Sequence, residues 1–119
     1  KKILVIDDSP FVFHQVADIV EGSDYEVVGS AKTGELGIEL YKELKPDFVI
    51  LDIVMPGING IETGKRLLEI NPEAKIIILS SLCDAGTVEE VKEAGIRYLL
   101  PKPVQGDILL VTLKMLERR

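Results

Sequence analysis

Tryptophan is absent and cysteine occurs once, at Cys83, in a chain of 119 residues. A lone thiol excludes an internal disulfide framework and a CxxC metal site, and it fits a reducing compartment. Cys83 is expected to be a small, semi-buried side chain. Positive charge is also scarce: 14 Lys and Arg stand against 20 Asp and Glu, for a formal net charge of -6. That balance argues against direct binding of nucleic acid or of an anionic membrane, since both need clustered cations. Long apolar runs are missing. No stretch approaches the ~18 residues of a membrane span, and the four apolar residues after Lys1-Lys2 are too few for a signal peptide. These absences lead to the expectation of a cytoplasmic protein. The chain does not begin with Met, so the expectation is one domain over residues 1–119, trimmed from a longer protein.

What is present is a hydrophobic content of 46% arranged in short blocks. Ile3–Ile6, Phe48–Leu51 and Ile76–Leu79 are Ile, Val and Leu runs without internal charge, the pattern of central parallel strands buried on both faces. Glu26–Ala31 and Arg97–Leu100 are more polar and belong toward the edges, where Pro101 is tolerated. Helical stripes fill the gaps. Ser9 and Pro10 start one that carries Val12, Val16, Ile19 and Val20 and stops at Gly22; Thr33 starts another, with Leu36, Leu40 and Leu44 in line. Further helices are expected over about Gly60–Ile70, Thr87–Ala94 and Val104–Arg118, the last with Ile108, Val111 and Met115 on one face. Five strands alternating with five helices define an α/β fold with a parallel sheet.

In such a sheet, ligands gather at the carboxyl ends of the strands. The first strand runs directly into Asp7 and Asp8, the third into Asp52, the fourth into Ser80, and the fifth leads to Lys102. One such Asp is ordinarily a turn or cap residue. Three carboxylates, a hydroxyl and an ammonium at four strand ends are harder to explain as independent caps. Carboxylates crowded together repel unless a cation joins them, and hard oxygen ligands with open positions suit Mg²⁺, which accepts a phosphate oxygen. Lys102 and Ser80 can then hold a phosphoryl group, and one carboxylate can act as nucleophile to form an acyl phosphate.

The ordered set IDDS at Ile6–Ser9, LDIVMPGING at Leu51–Gly60, Ser80 closing IIILS, and the Lys102-Pro103 pair resembles the receiver domain of two-component response regulators, the CheY-like family. The resemblance spans essentially the whole chain. It implies a flavodoxin-like sheet of order 2-1-3-4-5 with five helices on both faces. It implies that Asp52 accepts a phosphoryl group from the phosphohistidine of a sensor histidine kinase or histidine phosphotransfer protein. Asp8 and Asp52 would ligate Mg²⁺ directly, Asp7 largely through a water, and Val54 through its backbone carbonyl. Lys102 would pair with the carboxylate or phosphoryl oxygens, and Ser80 would turn inward to report phosphorylation to a downstream effector protein or domain. The same likeness makes Lys102-Pro103 a candidate cis bond and assigns Gly60 a flexible position before the third helix. It describes a signalling phosphoacceptor that promotes its own phosphorylation and dephosphorylation. Val54 and Leu82, two residues after Asp52 and Ser80, are apolar and cannot orient an attacking water, which implies slow loss of the phosphoryl group.

Two features depart from the pattern: a second hydroxyl, Ser81, follows Ser80, and Leu99 stands where an aromatic is usual, with Tyr98 one place earlier. Two rival readings use the same residues. A phosphatase of the haloacid dehalogenase type would need an Asp two residues after the nucleophile, where Val54 stands; a docking receiver that works without phosphorylation usually lacks an acidic or Lys position, and none is missing. NGIETGK at Asn59–Lys65 is an imperfect phosphate loop and reads as helix surface, and His14 reads as a solvent-facing or packing residue.

Overall fold

The computed structural model describes residues 1–118. Its elements follow one another as β1 (Lys2–Ile6), α1 (Pro10–Val20), β2 (Glu26–Ala31), α2 (Gly34–Leu44), β3 (Phe48–Asp52), α3 (Gly60–Ile70), β4 (Ile76–Ser80), α4 (Ala85–Glu93), β5 (Tyr98–Pro101) and α5 (Gly106–Glu117). The strands pair in parallel in the order β2-β1-β3-β4-β5. The two polar runs therefore do lie at the edges, as expected, and the three apolar runs fill the centre.

Alternation along each strand divides the apolar residues between two cores. Leu4, Ile6, Val49, Leu51, Ile76 and Ile78 face α2, α3 and α4, while Ile3, Val5, Phe48, Ile50, Ile77 and Leu79 face α1 and α5. Each fully buried Leu or Ile contributes about 1.5–3 kcal/mol relative to exposure, so strands covered on both faces are the rigid part of the molecule. Unequal anchoring follows. α5 buries Leu109, Thr112, Leu113 and Leu116, whereas α4 buries only Val91.

Several local expectations change. The buried side of α2 is Gly34, Gly37, Ile38 and Tyr41; Leu40 and Leu44 pack at its flank and Leu36 is exposed. The stripe Ile108, Val111 and Met115 on α5 faces solvent, because its stronger neighbour Leu109-Leu113-Leu116 occupies the core. α4 begins two residues earlier than Thr87, where the Asp84 carboxylate accepts the Thr87 N–H at 2.7 Å. At the far edge, the Lys102 N–H donates to the Ser80 carbonyl at 3.0 Å, which fixes the segment after β5 against the end of β4. Among the described residues no helix is long and apolar enough to cross a membrane.

Candidate functional site

β1 delivers its two carboxylates differently. The Asp7 N–H continues the ladder by donating to the Ala31 carbonyl at 2.9 Å, and the side chain is buried; Asp8, one residue on, is exposed. Ser9 occupies the N-cap position of α1 but its hydroxyl does not cap the helix. Instead the Ser9 N–H donates to Asp7 Oδ1 at 2.9 Å, so the turn braces the carboxylate. Asp52, the last residue of β3, is also buried, and its Oδ1 accepts the Ile53 N–H at 2.9 Å. Asp7, Asp8 and Asp52 each bring a carboxylate oxygen into one cluster in which all three oxygens lie within 4.8 Å of one another.

Lys102 enters this cluster from the end of β5. Its Nζ lies 3.1 Å from Asp7 Oδ2 and 3.2 Å from Asp52 Oδ1. Burial of its stem and head would pull the Lys102 pKa down, but the Asp7 hydrogen bond and the charges of Asp52 and Asp7 outweigh this and raise it. Asp52 is raised as well: burial is the main cause and the Asp7 charge adds to it, while Lys102 and the Ile53 N–H only partly oppose them. One ammonium among three carboxylates leaves the site short of positive charge. The raised Asp52 and the all-oxygen donor set fit a hard divalent cation such as Mg²⁺.

Ser80 ends β4 almost fully buried, whereas Ser81 is exposed. The Leu82 N–H donates to Ser80 Oγ at 2.9 Å, which leaves the hydroxyl proton free to be given to another acceptor. Cys83 is exposed, contrary to the semi-buried position expected, since the loop after β4 carries it outward with its thiol donating to the Ser80 carbonyl at 3.5 Å. The Lys102-Pro103 bond is cis, as the resemblance implied. Tyr98 packs in the core beneath α1 and α5 and Leu99 in the opposite core, so the two side chains occupy opposite faces and neither replaces the other. His14 is exposed and meets Phe13 edge-on at 5.3 Å, and NGIETGK forms the start of α3.

The stretch between β3 and α3 holds Val54, whose side chain is 63% exposed, and Gly57, whose φ of 81° suits glycine alone. Gly60 differs from the expectation of flexibility: positive φ is confined to Gly22, Gly57 and Gly95 among the glycines, and what Gly60 supplies is space. The Ile53 and Leu82 amides were not legible as site groups, because a backbone N–H carries no residue-type signal.

Residues 3–114 match the response regulator receiver domain, and the chain belongs to that family. It is 42% identical to chemotaxis protein CheY of Thermotoga maritima over 88% of each chain. Among solved structures it resembles the CheX–CheY–BeF3–Mg²⁺ complex from Borrelia burgdorferi, with 26% identity, 98% of this chain and 88% of that chain covered, and a TM-score of 0.91. A response regulator receiver domain protein from Clostridium thermocellum is 28% identical at a TM-score of 0.89, covering 99% of this chain and 94% of the other. The protein is a CheY-like receiver domain of two-component signalling.

Proposed function

We propose that Asp52 is the phosphoacceptor, that Asp7, Asp8, Asp52 and the Val54 backbone carbonyl hold Mg²⁺, and that Lys102 and Ser80 hold the transferred group, within one receiver domain spanning residues 1–119. The observation carrying this reading is the cluster of three carboxylates with Lys102 Nζ at 3.1 and 3.2 Å from two of them. A carboxylate oxygen of Asp52 attacks the phosphorus of a phosphohistidine. The O–P bond forms as the P–N bond breaks, and the departing imidazole nitrogen keeps the electron pair and takes a proton from water. Lys102 neutralises charge on the phosphoryl oxygens. Bound Mg²⁺ supplies the remaining positive charge that an anionic donor needs to approach three carboxylates. Ser80 then gives its free hydroxyl proton to a phosphoryl oxygen. Because the same Oγ accepts the Leu82 N–H, that new bond is transmitted to the backbone after β4 and on to weakly anchored α4.

The phosphodonor is a sensor histidine kinase or histidine phosphotransfer protein in the cytoplasm, and the phosphorylated domain acts on an effector protein or domain. With Val54 and Leu82 both apolar, 63% and 46% exposed, self-dephosphorylation is slow. The test is incubation with a small-molecule phosphodonor and Mg²⁺, followed by mass spectrometry. One phosphoryl group on Asp52 is expected, abolished in Asp52→Asn and by chelation, retained in Ser80→Ala, with Mg²⁺ binding weakened in Asp8→Asn. Labelling at Ser80, Ser81 or His14 would overturn the assignment.

A further inference from the structure

We propose that Gly60 is a positioning residue for the metal and phosphoacceptor site, because its missing side chain lets α3 rest directly on the peptide unit that aims Asp52. The inference builds on the Mg²⁺ and Asp52 assignment above. A Cβ at Gly60 would stand 1.9 Å from the Asp52 carbonyl oxygen, 2.7 Å from the carbonyl carbon and 2.8 Å from Ile53 Cα. All three are backbone atoms of a buried strand end, so no rotamer change can make room.

That one peptide unit has two functions. Its carbonyl abuts Gly60, and its N–H, on Ile53, donates to Asp52 Oδ1. The next carbonyl, of Ile53, accepts the Gly60 N–H at 2.8 Å, and the one after it belongs to Val54, assigned above as a metal donor. A methyl group at residue 60 would therefore displace the support of the Asp52 carboxylate and of the Val54 carbonyl together.

α3 cannot retreat to relieve the clash. The Asn59 side chain accepts the Glu62 N–H, and the Asn59 carbonyl accepts both the Thr63 N–H and the Thr63 hydroxyl. Thr63 is fully buried, and a Cβ at Gly34 on α2 would lie 2.0 Å from its hydroxyl oxygen and 2.7 Å from Ile58. Two glycines thus clamp the start of α3 between the end of β3 and the start of α2. Gly64, one turn further along α3, provides the contrast. A Cβ there meets the terminal carbon of Ile96 at 2.4 Å, a flexible side chain that can swing aside, and no atom of the site.

The experiment is a titration of Mg²⁺ into isotope-labelled wild type, Gly60→Ala and Gly64→Ala, followed by NMR with thermal denaturation in parallel. Gly60→Ala should weaken Mg²⁺ binding by about tenfold or more, the usual scale for lost support of a metal ligand, and should shift the Ile53 amide upfield as its hydrogen bond lengthens. Gly64→Ala should bind Mg²⁺ as wild type does, whatever its melting temperature. Wild-type affinity in folded Gly60→Ala overturns the inference and leaves the site assignment standing; failure of wild type itself to bind Mg²⁺ overturns both. If Gly60→Ala does not fold, Gly34→Ala, which presses on Thr63 and Ile58 from the other side of the clamp, is held to the same criterion.

Discussion

The two ends of the sheet treat charge in opposite ways. At the amino ends, Lys1 Nζ pairs with Glu117, and the Tyr25 hydroxyl donates to the same Glu117. Asp47 accepts the Lys2 N–H at 2.8 Å and returns its own N–H to the Lys2 carbonyl. These groups are each paired. At the carboxyl ends, Asp7 and Asp52 share Lys102 while Asp8 joins their cluster without a cation of its own, and Asp52 is held above the ordinary carboxylate range. Both ends are built from the same strands, so the difference lies in the loops. A fold keeps uncompensated carboxylates where a ligand is to supply the missing charge.

Removing Lys102 should widen this contrast most. Lys102→Met leaves Asp7 and Asp52 facing each other without their cation, and breaking a buried pair costs ~3–5 kcal/mol. Lys102 is 24% exposed, which places the expected loss nearer ~2–3 kcal/mol by urea denaturation. Its raised pKa gives the sign: the contribution is complete below the unfolded value of ~10.4 and is lost as pH rises through the higher folded value. Lys102→Met should lack that alkaline transition.

Polar groups at the mouth of the site should come next. Val54→Asn with Leu82→Glu is expected to speed decay of the phosphorylated protein by about tenfold, ~1.4 kcal/mol on the barrier. The decay constant at fixed Mg²⁺ is the measurement, and an unchanged value would remove these side chains from control of lifetime. Asp52→Asn relieves the crowding, so the melting temperature of metal-free protein should rise by a few degrees at neutral pH. Since Asp52 is raised in the folded state, the penalty on folding sets in as pH rises through the unfolded value, grows until the folded value is reached and is constant above it. The gain in Asp52→Asn should accordingly vanish in acid, below the unfolded carboxylate value of ~3.9, when melting is followed across pH. The amino end should respond least. Glu117→Gln, which breaks the half-exposed Lys1 pair, should cost about 0.5–1 kcal/mol with Mg²⁺ affinity unchanged.

The strand ends were legible because uninterrupted Ile, Val and Leu runs stop abruptly at Asp7, Asp52 and Ser80, so the period and its termination carry the same message. The choice between Ser80 and Ser81 required the pleat: one is buried at the strand end and the other turns out with the loop. Helix faces were less legible where two apolar stripes compete, as on α5, since Leu109, Leu113 and Leu116 and the exposed Ile108, Val111 and Met115 have similar hydrophobicity. Ser9 stands at the start of α1 as its type suggests, but the role of its amide in bracing Asp7 carries no residue-type signal. Gly60 was read for backbone freedom when the structure uses its small volume.

The register at β5 bears on how the protein behaves in a crowded cell. With the Lys102 N–H turned inward to the Ser80 carbonyl, alternation along the strand turns the nitrogen of Pro101 outward, where it has no hydrogen to offer. Within this four-residue strand, Leu99 alone is left to present an outward N–H. A stray extended chain seeking to dock there would find one donor where an ordinary edge gives a row, so the imino acid beside Lys102 also makes this edge a poor template for growth into aggregates.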